Sequence, residues 1–134
     1  MDDEHSGTCP CGGGQRYDAC CGPLHAGARA PTAERVMRAR YSAYALGDVV
    51  YLLRSWHPET RPVEVDVERT EVWLRLEVVA VVGGGMLDRS GTVEFVARYR
   101  EGAREGELHE VSRFERVDGE WVYVDPDDAD ILTT

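Results

Sequence analysis

The chemistry-bearing residues of this sequence crowd into one short stretch, Cys9-Pro-Cys11-Gly-Gly-Gly-Gln-Arg-Tyr-Asp-Ala-Cys20-Cys21, which holds every cysteine of the chain. Thiolates are soft ligands, and four of them suit a tetrahedral metal such as zinc. Gly12, Gly13 and Gly14 follow the first pair and let the backbone turn through positive φ, which carries the second pair back over the metal. Two disulfides are the competing arrangement. One connectivity joins Cys20 to Cys21, whose Cα atoms sit about 3.8 Å apart, short of the roughly 4.4–6.8 Å a disulfide spans. The other two close a crowded short loop. Residues 1–8 are acidic and polar, without the apolar segment of a secretory signal. A cytoplasmic location is therefore expected, and there thiols stay reduced unless a metal claims them. A zinc knuckle with Cys9, Cys11, Cys20 and Cys21 as ligands is the preferred reading. A filled four-thiolate shell makes it structural rather than catalytic.

Other reactive side chains are sparse. His57 lies between Trp56 and Pro58 at a predicted helix end, where histidine commonly caps the last carbonyls, with a pocket, catalytic or metal role as the alternatives. Strand alternation near residues 107–117 puts Leu108, Glu110, Ser112 and Phe114 on one face and His109 on the other. The sequence has no HExxH, no phosphate loop and no nucleophile elbow. Gly83-Gly84-Gly85 lacks the GxGxxG spacing and reads as a turn. Lysine is absent, which removes Schiff-base chemistry. Trp73, Trp121 and Tyr123 read as core and sheet packing.

The elements that must position these groups follow from patterning. Residues 1–8 read as a flexible leader, 9–23 as the knuckle, closed by the breaker Gly22-Pro23, and 24–31 as a linker. Thr32 caps a helix whose apolar residues Val36, Met37, Tyr41, Tyr44 and Ala45 keep a 3.6 period, with Arg35, Arg38 and Arg40 on other faces. It stops near Gly47. Asp48 caps a second, shorter helix that ends before Pro58. From Pro62 the period becomes two. One strand carries Leu74, Leu76, Val78, Ala80 and Val82 on one face and Trp73, Arg75, Glu77, Val79 and Val81 on the other. Further strands cover roughly 92–101, 107–117 and 120–125, the last two joined by the hairpin signal Asp118-Gly119. A turn is expected over Gly102–Gly106 and a loose tail after Asp125. Residues 63–72 are ambiguous between a short helix and an extended lead-in. Helices grouped ahead of a run of strands indicate an α+β domain over 32–134, its antiparallel sheet curving around the helices.

The chain is 134 residues long, enough for one hydrophobic core beyond the knuckle. No apolar run is long enough for a membrane helix. Residues 1–62 are electrically balanced, and the whole net charge of −10 falls in residues 63–134. An acidic C-terminal half argues against nucleic-acid binding, which needs a basic face. Arg16, Arg29, Arg35, Arg38 and Arg40 leave docking at the ribosome open for the N-terminal half.

Cys9-x-Cys11-x8-Cys20-Cys21 resembles the SEC-C metal-binding motif, best known at the C-terminus of the SecA translocation motor. With Met37-Arg-Ala-Arg-Tyr-Ser-Ala-Tyr44, Trp56-His-Pro58, His109-Glu-Val-Ser-Arg-Phe114 and Asp118-Gly-Glu-Trp-Val-Tyr123, the chain is similar to the YchJ family of small bacterial proteins over nearly its whole length. A short stretch between Pro58 and Trp73 and the lack of a second SEC-C motif at the C-terminal end depart from that pattern. The resemblance implies zinc in the knuckle and a cone-shaped domain like nuclear transport factor 2, with N-terminal helices packed on a bent sheet. It implies no established reaction.

Two functions follow as expectations. The first is a cytoplasmic zinc-binding accessory or adaptor protein, whose knuckle recognises a protein partner by analogy with SecA. The second is a small-molecule binder or an isomerase- or dehydratase-like enzyme using the cone cavity, the default ligand site of such a shape. Glu110 would be its acid or base, with Tyr44, Ser112 and His57 assisting. The competing role for Glu110 and Ser112 is a structural hydrogen bond to Tyr41, Tyr44 or Tyr51. A monomer and a homodimer are both compatible with the sequence.

Overall fold

The computed structural model describes residues 8–65 and 71–132, with 127–132 described by backbone alone. The leader through residue 7 and the ambiguous centre of 63–72 lie outside the described residues. Three helices precede four strands: α1 (Cys21–His25), α2 (Ala33–Leu46), α3 (Val49–Arg54), then β1 (Glu71–Gly83), β2 (Ser90–Glu101), β3 (Arg104–Val117) and β4 (Glu120–Leu132).

Capping sets the long helix where the sequence places it. Thr32 is extended, and its Oγ1 accepts the Arg35 N–H at 3.2 Å; Gly47 closes α2 in the left-handed region at φ 77°. Asp48 repeats the device for α3, accepting the Tyr51 N–H at 3.1 Å. Gly22-Pro23, in contrast, does not break the chain, because α1 runs through it. Pro23 falls in the first turn, where its missing N–H has no intrahelical partner to lose. Leu24, read as the start of a linker, is 3% exposed and belongs to the core.

The strands form one antiparallel meander in the order β1-β2-β3-β4. Asp118 and Gly119, at φ 53° and 82°, make the predicted hairpin between β3 and β4. The β2–β3 turn is tighter than expected, because β3 already begins at Arg104. Gly106 lies inside that strand opposite Tyr99, where a Cβ would come within 2.6 Å of the tyrosine ring. β4 continues past Asp125 to Leu132 instead of loosening. Pro126 is tolerated because β4 is an edge strand, and the β3–β4 register shifts beside it, between Val111 and Ser112. A register irregularity between Trp73 and Arg75 corrects the facing of β1. The ring of Trp73 joins Leu76 and Val78 on the inner face, while Leu74 is 41% exposed.

The helices pack on one face of this sheet, and the core joins Val36, Met37, Tyr41 and Leu52 to Val93, Phe95, Ala97 and Phe114. A parallel bridge fastens the exit of α3 to the far edge. Tyr123 N–H donates to the Ser55 carbonyl at 2.8 Å, and His57 N–H donates to the Tyr123 carbonyl at 2.7 Å.

Burial gives the core a pH signature. It pushes the phenols of Tyr41 and Tyr51 up to about 12, against about 10 in an unfolded chain. Between those values the unfolded chain has shed protons the native chain retains, so stability falls as pH rises from about 10 towards 12. Alkaline titration followed by tyrosinate absorbance and circular dichroism should show these two tyrosines ionising together with unfolding, not ahead of it.

Candidate functional site

The four cysteine sulfurs lie within 4.8 Å of one another, and their residues are buried. Cys11 Sγ is 3.6 Å from Cys20 Sγ, which is 4.0 Å from Cys21 Sγ. A tetrahedron with metal–sulfur bonds of about 2.3 Å has edges of about 3.8 Å, whereas a disulfide needs about 2.05 Å. All four thiols are free. The donor set therefore fits a soft tetrahedral metal and not a pair of disulfides.

The loop that assembles it follows from its glycines. Gly12 and Gly14 take φ 78° and 87°, and a Cβ on Gly13 would crowd Cys11 Sγ at 3.3 Å. Cys9 N–H donates to the Gln15 carbonyl at 2.7 Å, and a 3-10 turn at Tyr17–Ala19 returns the chain to Cys20. Without a cation the cluster carries uneven protons. A hydrogen bond from Cys21 pulls the Cys11 thiol down to about 5. Burial pushes Cys20 up to about 11, and the hydrogen bond to Cys11 pushes Cys21 up as well. A divalent metal would displace the remaining protons, so its affinity falls on acidification.

The knuckle is bolted to one side of α2. Arg38 Nη1 donates to the Cys11 carbonyl at 2.9 Å and Arg35 Nη2 to the Cys20 carbonyl at 3.2 Å. Ser42 Oγ donates to Cys21 Sγ at 3.4 Å and lies 3.5 Å from Cys9 Sγ. His25, which no sequence pattern singled out, donates from Nε2 to the Ala39 carbonyl at 2.9 Å; its Nδ1 then accepts the Tyr17 hydroxyl at 2.7 Å. Of the arginines considered for ribosome docking, Arg35 and Arg38 bond the knuckle, while the side chains of Arg16 and Arg29 are 63% exposed. Arg16 pairs with Asp18 at 3.5 Å and Arg29 with Glu120 at 3.6 Å. Arg40 is buried.

The other side of α2 walls a partly enclosed cavity of about 270 Å³ between helix and sheet. Tyr41 and Tyr44 contribute from α2, Trp56 from beyond α3, and Trp73, Phe95 and Phe114 from the strands. Leu108, Glu110 and Ser112 line it together, as β3 alternation predicts. Glu110 Oε2 accepts the Ser112 hydroxyl at 2.7 Å and the Tyr123 hydroxyl at 3.1 Å. Its tyrosine partner thus comes from β4 and not from a helix. Burial, reinforced by Glu110, pushes the Tyr123 phenol up and keeps it a donor.

His57 does not line this cavity, and Ser55 occupies the α3 C-cap position. His57 Nδ1 accepts the Glu59 N–H at 3.0 Å, and Nε2 lies 3.5 Å from Glu115. His109 faces away from the cavity, bonded to Glu94 at 2.6 Å. Trp73 and Tyr123 turn out to be cavity walls, while Trp121 is core, its indole N–H on the Pro31 carbonyl at 3.3 Å.

The residue missed by sequence reasoning is Arg40. It is 6% exposed and lines the cavity, its guanidinium carbon 4.6 Å from the ring centroids of both Trp56 and Tyr123. Burial pulls its pKa down, and the surrounding tyrosines and Glu110 oppose that shift. The one available signal was its position, one turn from Met37 and Tyr44 on the apolar side of α2.

A buried four-cysteine cluster ahead of helices on a four-stranded antiparallel sheet defines a SEC-C type protein with a nuclear-transport-factor-2-like domain. Residues 32–126 match the family model described as "YchJ, middle NTF2-like domain". A UPF0225 protein of Streptomyces coelicolor is 52% identical over 118 residues, spanning 87% of this chain and 92% of that one. One from Bordetella parapertussis is 48% identical, over 90% and 92%. The solution structure of a SEC-C motif containing protein from Rhodopseudomonas palustris superposes with TM-score 0.78 at 37% identity, covering 91% of this chain and 98% of that one. A crystal structure of a SEC-C motif containing protein from Psychrobacter arcticus gives 0.75 at 29% identity, over 97% and 87%. The chain belongs to the YchJ family, also called UPF0225.

Proposed function

We propose that the chain is a small-molecule-binding protein whose ligand occupies the cavity between α2 and the sheet, with a structural zinc ion in the cysteine cluster bracing α2 from behind. The observation that carries this is a cavity with aromatic walls into which a buried, half-bonded guanidinium faces. Apolar pockets with a few convergent polar groups are where proteins hold small ligands. Four thiolates leave no open coordination position, so the zinc supplies folding energy and the cavity supplies recognition. A protein-docking role for the knuckle keeps one specific feature, the exposed tip from Gly12 to Arg16.

Fragment screening by NMR tests the cavity directly. Binders should shift the methyl resonances of Met37 and Leu108, and a Leu108→Trp substitution, which fills the space, should abolish those shifts. Hits that move only exposed-face residues, or that survive Leu108→Trp unchanged, would sink the reading.

A further inference from the structure

Taking the cavity as the binding site, we infer that it selects a small organic carboxylate with a flat or apolar body, held side-on by Arg40, with Glu110 accepting a hydrogen-bond donor from the same ligand. Arg40 Nη1 is fully spent, donating to the Leu52 carbonyl at 2.9 Å and to Ser55 Oγ at 2.8 Å. Its Nε–H and Nη2 hydrogens find no acceptor among the described residues. That free edge is the planar two-donor fork that matches a carboxylate. Trp56 and Tyr123 lie 4.6 Å from the guanidinium carbon and 5.2 Å from each other, so both rings sit on one side of Arg40 and leave the unbonded edge clear.

The charge is also unmatched. No described carboxylate lies within ion-pair distance of Arg40, although a buried cation ordinarily has a partner. Among the described residues, Glu110 is the one acidic group lining the cavity, and its Oε2 is committed to Ser112 and Tyr123. Its Oε1 takes no hydrogen bond from a described residue, which leaves an acceptor for a hydroxyl or amine of the ligand. A second orphan shares the wall. Trp56 Nε1 is buried without a partner among the described residues, which is costly for a donor.

The chemistry narrows further. One cation facing one acidic residue suits a monoanion better than a phosphate dianion, which would bring a second negative charge beside Glu110. The volume, about 270 Å³, is near the lower limit for ligand pockets and points to a small molecule. The rings of Trp73, Phe95 and Phe114 provide apolar walls for its body.

The test uses three probes in NMR titrations of the purified full chain: 4-hydroxyphenylacetate, its neutral amide, and phenylacetate. The carboxylate should bind at least about tenfold more tightly than the amide, as a charge-assisted bidentate contact predicts. Arg40→Met should erase that preference while amide binding persists, which also shows that the variant is folded. Should Arg40→Met fail to fold, Arg40→Lys should keep the preference in reduced form, since the charge stays and the fork is lost. Glu110→Gln should remove the advantage of 4-hydroxyphenylacetate over phenylacetate. Equal binding of acid and amide in the natural chain would overturn the carboxylate assignment and leave the cavity reading standing. No cavity shifts from any probe at millimolar concentration would overturn both.

Discussion

Replacing Cys11 with serine is expected to strip the chain of the zinc proposed for the knuckle and to loosen α2 along with it. Cys11 is fully buried, its sulfur is 3.6 Å from that of Cys20, and its carbonyl holds the Arg38 guanidinium. Beyond its polar contacts with α2 the knuckle has no apolar core of its own. Its buried side chains, up to the start of α1, are the cysteines themselves. A metal bound only by the folded state contributes its binding energy to folding, an apparent roughly 10–16 kcal/mol in isolated zinc-finger peptides. Here the body retains its own core, so the expected loss is smaller, several kcal/mol. Elemental analysis should fall from about one zinc per chain to near zero, and the amide protons of α2 around Ser42 should exchange faster. Well under one zinc per natural chain, purified without chelator, would refute the metal assignment.

Phe114→Ala should produce the second large effect. Phe114 is 1% exposed and meets the Tyr123 ring edge-on at 5.8 Å, at the floor of the cavity. Truncating a buried phenylalanine costs about 3–5 kcal/mol, because the removed ring leaves a void the neighbours fill only partly. Against a typical total of about 5–15 kcal/mol, that is a substantial share of the domain's stability. Chemical denaturation should show the midpoint falling with an unchanged slope. A loss under about 1 kcal/mol would mean that the cavity simply collapses onto the site.

What could be read from the sequence was whatever depended on local chemistry. The cysteine spacing, the caps at Thr32 and Asp48, the Asp118-Gly119 hairpin and the shared face of Leu108, Glu110, Ser112 and Phe114 each follow from a few adjacent residues. The failures share a different cause. The sequence-based expectation sets Arg40 on a face other than that of Met37 and Tyr44, and only the partners Leu52, Ser55, Trp56 and Tyr123 make its burial tolerable. Trp73 changed sides through a bulge whose origin lies in pairing with β2. α1 was hidden by Gly22-Pro23, since a proline is compatible with a first turn and nothing local says the turn will form. His57 was placed by its neighbours, but the backbone bond to Tyr123 fixes it elsewhere.

The seam between Ser55–His57 and Tyr123 has a kinetic consequence. Every neighbour in the sheet is also a neighbour in sequence, so β1 to β4 can add one after another with short loops to close. The thiols precede α2, and a chain emerging at about 5–20 residues per second completes its metal ligands before any strand exists. The parallel bridge is the exception, since it waits for β4. Until Tyr123 arrives, Trp56 is the one ring beside Arg40 among the described residues and Glu110 lacks its phenol, so the pocket matures in the final step of assembly.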